Sequence, residues 1–173
     1  MLSILIPGLI IVALMVWAST RIKKTAAAAF DAETIEADDF IIQKPEGFLA
    51  VINGDPKYAF ESYSKEYGGE GAESFRKGVA YLTIYDGQTV AKRVAEIAEP
   101  GDAITGDISE VIGDHHYRVI EIDRTIKDVA FNYFYKFAEK GDRVFEFQIT
   151  AIAETTDEFM RNIETMLAGF EIK

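Results

Sequence analysis

The opening run of this chain constrains it most. Leu2 to Ala18 contains no charged side chain, and Arg21, Lys23 and Lys24 follow at once. An apolar segment of that length closed by cations predicts one membrane-spanning helix with a basic stop. From Leu2 to Thr20 there are about 19 residues, which at about 1.5 Å each reach roughly 28 Å, close to the hydrocarbon thickness of a bilayer. Pro7 and Gly8 fall in the second turn, where a lost backbone hydrogen bond lies near enough to the interface to be replaced by water. Trp17 is placed to rest at headgroup level near the basic end.

Charge placement sets the expected orientation. Nothing basic but the amino terminus precedes the run, whereas three cations follow it, so the positive-inside rule puts residues after 24 in the cytoplasm. A cleaved signal peptide is the competing reading. It calls for a basic segment before the apolar one, and here the basic cluster lies on the other side, although Ala26 to Ala29 offers small residues for cleavage. The chain has no Cys, which excludes a lipidated cysteine anchor, disulfides, thiolate catalysis and thiolate zinc sites. Three units are therefore expected: residues 1–24 as transmembrane helix with basic stop, 25–33 as an Ala-rich stalk continuing that helix, and 34–173 as one folded domain.

Beyond residue 24 the chain carries 15 basic and 29 acidic side chains, a net charge of −14. Such a domain is repelled by anionic lipid and by nucleic acid, and its electrostatic partners are basic protein surfaces or cations. Turn-forming pairs are frequent: Asn53-Gly54-Asp55-Pro56, Gly68-Gly69, Asp86-Gly87, Pro100-Gly101, Gly106-Asp107, Gly113-Asp114 and Gly141-Asp142. Between them, Val129 to Ala138 and Arg143 to Ala151 alternate aromatic and smaller residues, which predicts a hairpin with one aromatic face inward. Arg118 to Arg124 and Gly78 to Tyr85 read as further strands, with Thr34 to Gln43 and Tyr58 to Tyr67 as weaker ones. Two helices are expected. One follows Thr155, which with Glu158 forms a capping-box pattern, and places Phe159, Ile163, Met166 and Leu167 on one face, lying across the aromatic sheet. The other covers Gln88 to Ala98.

Lys44-Pro45-Glu46-Gly47-Phe48 after the first strand, the pair Asn132-Tyr133-Phe134-Tyr135 and Arg143-Val144-Phe145, and the closing Phe170-Glu171-Ile172 together resemble the PsbP-like fold superfamily. The resemblance covers roughly residues 34–173. It implies an α+β domain, an antiparallel β-sheet flanked by helices; the chain departs from the family by the single transmembrane helix expected at its N-terminus in place of a cleaved or lipidated leader. It also implies a binding or assembly module without chemistry of its own.

No residue pattern assigns a catalytic, cofactor or metal site. His115 and His116 are the only histidines, and neighbours on a strand point to opposite faces, so they do not share a ligand. None of Ser62, Ser64, Ser74 and Ser109 lies in a Gly-x-Ser-x-Gly elbow. Gly68-Gly69-Glu70-Gly71 lacks the lysine and the strand-to-helix setting of a phosphate loop and reads as a mobile hairpin tip. Asp38-Asp39 is a pair that an acidic chain yields by chance.

The functional expectation is a non-enzymatic, single-pass accessory or assembly subunit of the cell (inner) membrane. It is anchored through residues 2–20, with Trp17, Arg21, Lys23 and Lys24 fixing depth and topology. Its partners are other subunits of a membrane protein complex. The alternative is a membrane-tethered domain binding a small ligand between sheet and helix.

Overall fold

The expected hairpin forms the middle of the domain. In the computed structural model, which describes residue 15 and residues 27–173, β8 (Val129–Lys140) pairs with β9 (Arg143–Ile152) across a turn at Gly141, whose φ of +65° suits glycine. Around that pair a seven-stranded antiparallel sheet runs in the order β3-β4-β5-β9-β8-β7-β6. Its other members are β3 (Phe48–Ala50), β4 (Phe60–Ser64), β5 (Gly78–Asp86), β6 (Ala103–Ile112) and β7 (His115–Ile126). A three-stranded sheet, β1 (Glu33–Glu36), β2 (Phe40–Lys44) and β10 (Glu171–Ile172), is ordered β1-β2-β10. The helices are α1 (Val90–Ile97) and α2 (Asp157–Ala168).

The aromatic residues of the hairpin do not share one face. Lys140 pairs with Arg143, so partner numbers sum to an odd total and odd residues of β8 lie beside even residues of β9. Phe145, Phe147 and Ile149 therefore face α2 together with Phe134 and Ala138, and with Ile163, Met166 and Phe170 they form the main core. Phe131, Tyr133, Tyr135 and Phe137 point the other way, into a second core with Ile97, Ile120 and Ile122 that α1 covers. Both faces of the central strands are thus buried. The predicted apolar face of α2 is the one that packs, with Ile163 and Met166 fully buried.

Other boundaries move for identifiable reasons. The single strand expected over Thr34 to Gln43 is two, folded back at residues 37–39, where Ala37 N donates to Phe40 O at 3.0 Å. Asp39 there accepts both Arg143 Nη1 (2.8 Å) and Nη2 (3.0 Å), so the Asp38-Asp39 pair has a structural use. Thr156, not Thr155, caps α2, its Oγ1 accepting from Phe159 N at 3.3 Å. Gly106-Asp107 is not a turn: the β6 to β7 register shifts between Ile104 and Gly106, so Thr105 is an extra residue in a β-bulge and the strand continues. Gly169 ends α2 with φ −79°, and what it supplies is space, since a Cβ there would sit 2.5 Å from Gln43 Cβ.

Ala27 and Ala28 are helical and Phe30 follows in a turn. Lys44, whose side chain is fully buried, donates to the Asp31 and Phe48 carbonyls, and Gly47 N donates to Phe30 O at 2.8 Å. Residues 30–33 are accordingly docked on the domain. The expected transmembrane helix lies outside the described residues, apart from Met15. Among the described residues no helix is long and apolar enough to cross a membrane.

Candidate interaction surface

β6 is the open edge of the large sheet, ten residues long, with no strand among the described residues on its outer side. An edge of that length presents a row of unpaired backbone N–H and C=O groups. It also exposes Ile104 (60%), Ile108 (61%) and Val111 (61%), large apolar side chains in one short segment. Ile108 and Glu110 lie on the α2 side of the sheet, opposite Val119 and Tyr117, while Asp107, Ser109 and Val111 lie on the α1 side.

Beside this edge, on the α2 side, a cleft of ≈ 310 Å³ opens between the helix and strands β7 and β8. Its floor is apolar, with Phe134, Met160, Ile163 and Leu167, and its polar lining is Glu121, Asp123, Glu164, Asn132 and Thr105. The bulge brings Thr105 into this lining. Asn132 Nδ2 donates to Asp123 Oδ1 at 2.7 Å, and no salt bridge among the described residues reaches Glu121, Asp123 or Glu164. Gly106 matters for access. A Cβ there would lie 3.2 Å from Glu121 Cδ and Oε2, so glycine leaves the Glu121 carboxylate uncovered toward the edge.

A buried cation beside the cleft is already engaged. Lys136, 1% exposed, sits within ion-pair distance of Glu110 Oε1 (3.1 Å), donates to Leu167 O at 3.3 Å and lies 4.6 Å from the Tyr117 ring centre. It is satisfied without reaching the cleft carboxylates. On the opposite side of β6, Arg118 grips Asp107 with Nε and Nη2 at 2.9 and 2.8 Å, which holds the Asp107 carboxyl below the usual carboxylate range. Burial raises the Tyr117 hydroxyl, whose oxygen accepts from Ile172 N at 2.9 Å and so fixes β10.

Trp17, Arg21, Lys23 and Lys24, the residues assigned to anchoring and topology, lie outside the described residues. His115 and His116 fall at the start of β7, half-buried and exposed respectively, and among the described residues no three His, Asp or Glu side chains converge as metal ligands. The Gly68 to Gly71 segment belongs to the β4–β5 connection: Gly68 lies close against Ala72 and Ile152, where a Cβ would fall 2.6 Å from each, while Gly69, Glu70 and Gly71 are exposed. The tyrosines of the hairpin are core, Tyr135 being 4% exposed with its hydroxyl pKa pushed up by burial. β6 is hidden in the sequence because Gly106-Asp107 carries the residue types of a turn. Ile104, Ile108 and Ile112, separated by even numbers of residues as strand neighbours on one face are, were the available signal.

No family model matches the chain, and no curated protein does either. Its fold is found among solved structures. The solution structure of cyanobacterial PsbP (CyanoP) from Synechocystis sp. PCC 6803 superposes with a TM-score of 0.58 at 10% identity, covering 83% of this chain and 94% of that one. LpqN of Mycobacterium tuberculosis, described as involved in cell envelope biogenesis, gives 0.56 at 12% identity, covering 83% and 91%. The Ran-binding protein Mog1p of Saccharomyces cerevisiae gives 0.54 at 9% identity, covering 83% and 96%. At such identities the likeness concerns the fold alone, and the fold is PsbP-like.

Proposed function

We propose that this chain is an accessory or assembly subunit of a membrane protein complex. Residues 2–20 cross the cell (inner) membrane once, Trp17 and the Arg21, Lys23 and Lys24 collar set depth and orientation, and the acidic domain meets its partner on the cytoplasmic side. The observation that carries the binding role is the open β6 edge, where three large apolar side chains stand exposed on a strand paired with β7 on one side and with no strand among the described residues on the other. That Mog1p, with the same fold, is a Ran-binding protein supports a protein-binding use of such a domain. The role proposed is recognition without catalysis.

Purification of the native chain in mild detergent tests this. Co-migration with a stoichiometric larger complex is the expected result, and an isolated monomer under the same conditions would sink the reading. The cleft favours one alternative, a membrane-tethered domain for a small cationic ligand, since ≈ 310 Å³ is at the lower limit of ligand pockets. A bound small molecule released from the purified monomer would establish it. Orientation is checked separately: protease added outside intact spheroplasts is expected to leave the domain whole.

A further inference from the structure

Resting on the accessory-subunit reading, the geometry points to the form of the partner: we propose that β6 takes up an extended, lysine- or arginine-containing polypeptide segment as an added strand, with one cation entering the cleft beside α2. Strand addition needs an accessible edge of sufficient length, and the ten residues of β6 supply one. Backbone pairing gives such binding its affinity. The side chains beside the edge give it specificity, and here they are sorted by face.

On the α2 side an incoming strand meets Ile108 and Glu110 and, at Gly106, a gap through which the Glu121 carboxylate is reached. Beyond Glu121 lie Asp123 and Glu164 around an apolar floor. This is the chemistry that suits a long cationic side chain, whose methylenes cover Phe134 and Leu167 while its head meets carboxylates. The one buried cation nearby, Lys136, is held by Glu110 and Leu167 O and does not neutralise them. A second copy of this chain is the poorer occupant. Self-pairing would bring two domains of charge −14 together along one edge.

The test uses the full chain in detergent and three nine-residue peptides. One alternates lysine with valine, the second alternates glutamate with valine, and the third is the lysine peptide with two central prolines. Binding of the first alone is expected, with slowed amide hydrogen exchange confined to residues 103–112. Ile108→Lys should weaken it by about tenfold and Glu121→Gln by severalfold, both sites being peripheral to the core, with circular dichroism unchanged. Equal binding of the glutamate or proline peptide, protection elsewhere, or affinity unmoved by both substitutions would overturn the proposal. So would sedimentation showing that the chain dimerises and that Ile108→Lys separates the copies. The native complex keeps the two readings apart: a partner that co-purifies and stays bound in Ile108→Lys removes the strand-addition proposal while leaving the accessory role standing. If no partner co-purifies, the accessory role falls and the inference resting on it falls too.

Discussion

At the residue scale the sharpest case is Lys136, a cation inside the main core. Its nitrogen has three partners, but its carboxylate partner Glu110 is 39% exposed and can return to water if the pair is lost. The side chain's volume therefore matters more than its charge. Lys136→Met keeps the volume and is expected to change unfolding free energy by no more than about 1 kcal/mol. Lys136→Ala opens a cavity beside Phe147 and should cost about 2 to 4 kcal/mol. Denaturant titration of the two variants checks this, and an equal loss in both would mean that the ion pair dominates. Asp102 is the opposite case, a carboxylate only 4% exposed and gripped by Arg124 Nε at 2.8 Å and Nη2 at 2.6 Å. Those hydrogen bonds lower its pKa from 3.8. A carboxyl depressed by folding contributes stability that is present above its unfolded value and lost as pH falls through its folded value. Asp102→Asn should therefore be less stable than wild type at pH 7, with the two curves converging below pH 3.8. A constant gap down the acid limb would contradict the assignment.

At the element scale, the cap of α2 separates two neighbouring threonines. Thr156 Oγ1 accepts from Phe159 N, whereas Thr155 Oγ1 donates at 3.4 Å to the Thr156 carbonyl. Thr156→Ala is expected to cost about 1 kcal/mol and Thr155→Ala less than about 0.5 kcal/mol, read from thermal unfolding of both. The helix and its buried face are legible from the apolar spacing, but the capping-box pattern points to Thr155 with Glu158, whereas the cap is Thr156, whose third residue on is Phe159. The hairpin shows a different limit. Its strands and turn were legible from alternation and Gly141-Asp142, yet assigning all its aromatics to one face ignored the register that a two-residue turn imposes. β6, the element that carries the candidate surface, was hidden by its bulge. Gly-Asp is locally a turn signal, and only pairing with β7 over Ala103 to Asp107 makes it part of a strand.

At the scale of the whole molecule, local reasoning had no access to the three-stranded sheet. β2 lies between its sequence neighbour β1 and β10, a two-residue strand from the far end of the chain, and that order is fixed by α2 delivering Phe170 between Phe147 and Tyr117. Charge, in contrast, was readable from composition, and it makes a global claim. Residues 27–173 carry 29 acidic against 15 basic side chains. The ion pairs that offset this include Lys173 with Glu36, Lys77 with Glu66 and Arg118 with Asp107, all with at least one well-exposed partner, and such pairs contribute little each. Unpaired carboxylates such as Glu121 and Glu164 repel over a Debye length that shrinks to about 8 Å at physiological ionic strength. Self-repulsion should therefore outweigh exposed attraction, and salt should stabilise this fold. Raising NaCl from about 10 to about 200 mM is expected to increase Tm by a few degrees. A decrease would mean that ion pairs, not the net charge of −14, set the electrostatic balance of the domain. The same screening should weaken a basic segment's hold on the β6 edge, so partner affinity and domain stability are expected to move in opposite directions as salt is added.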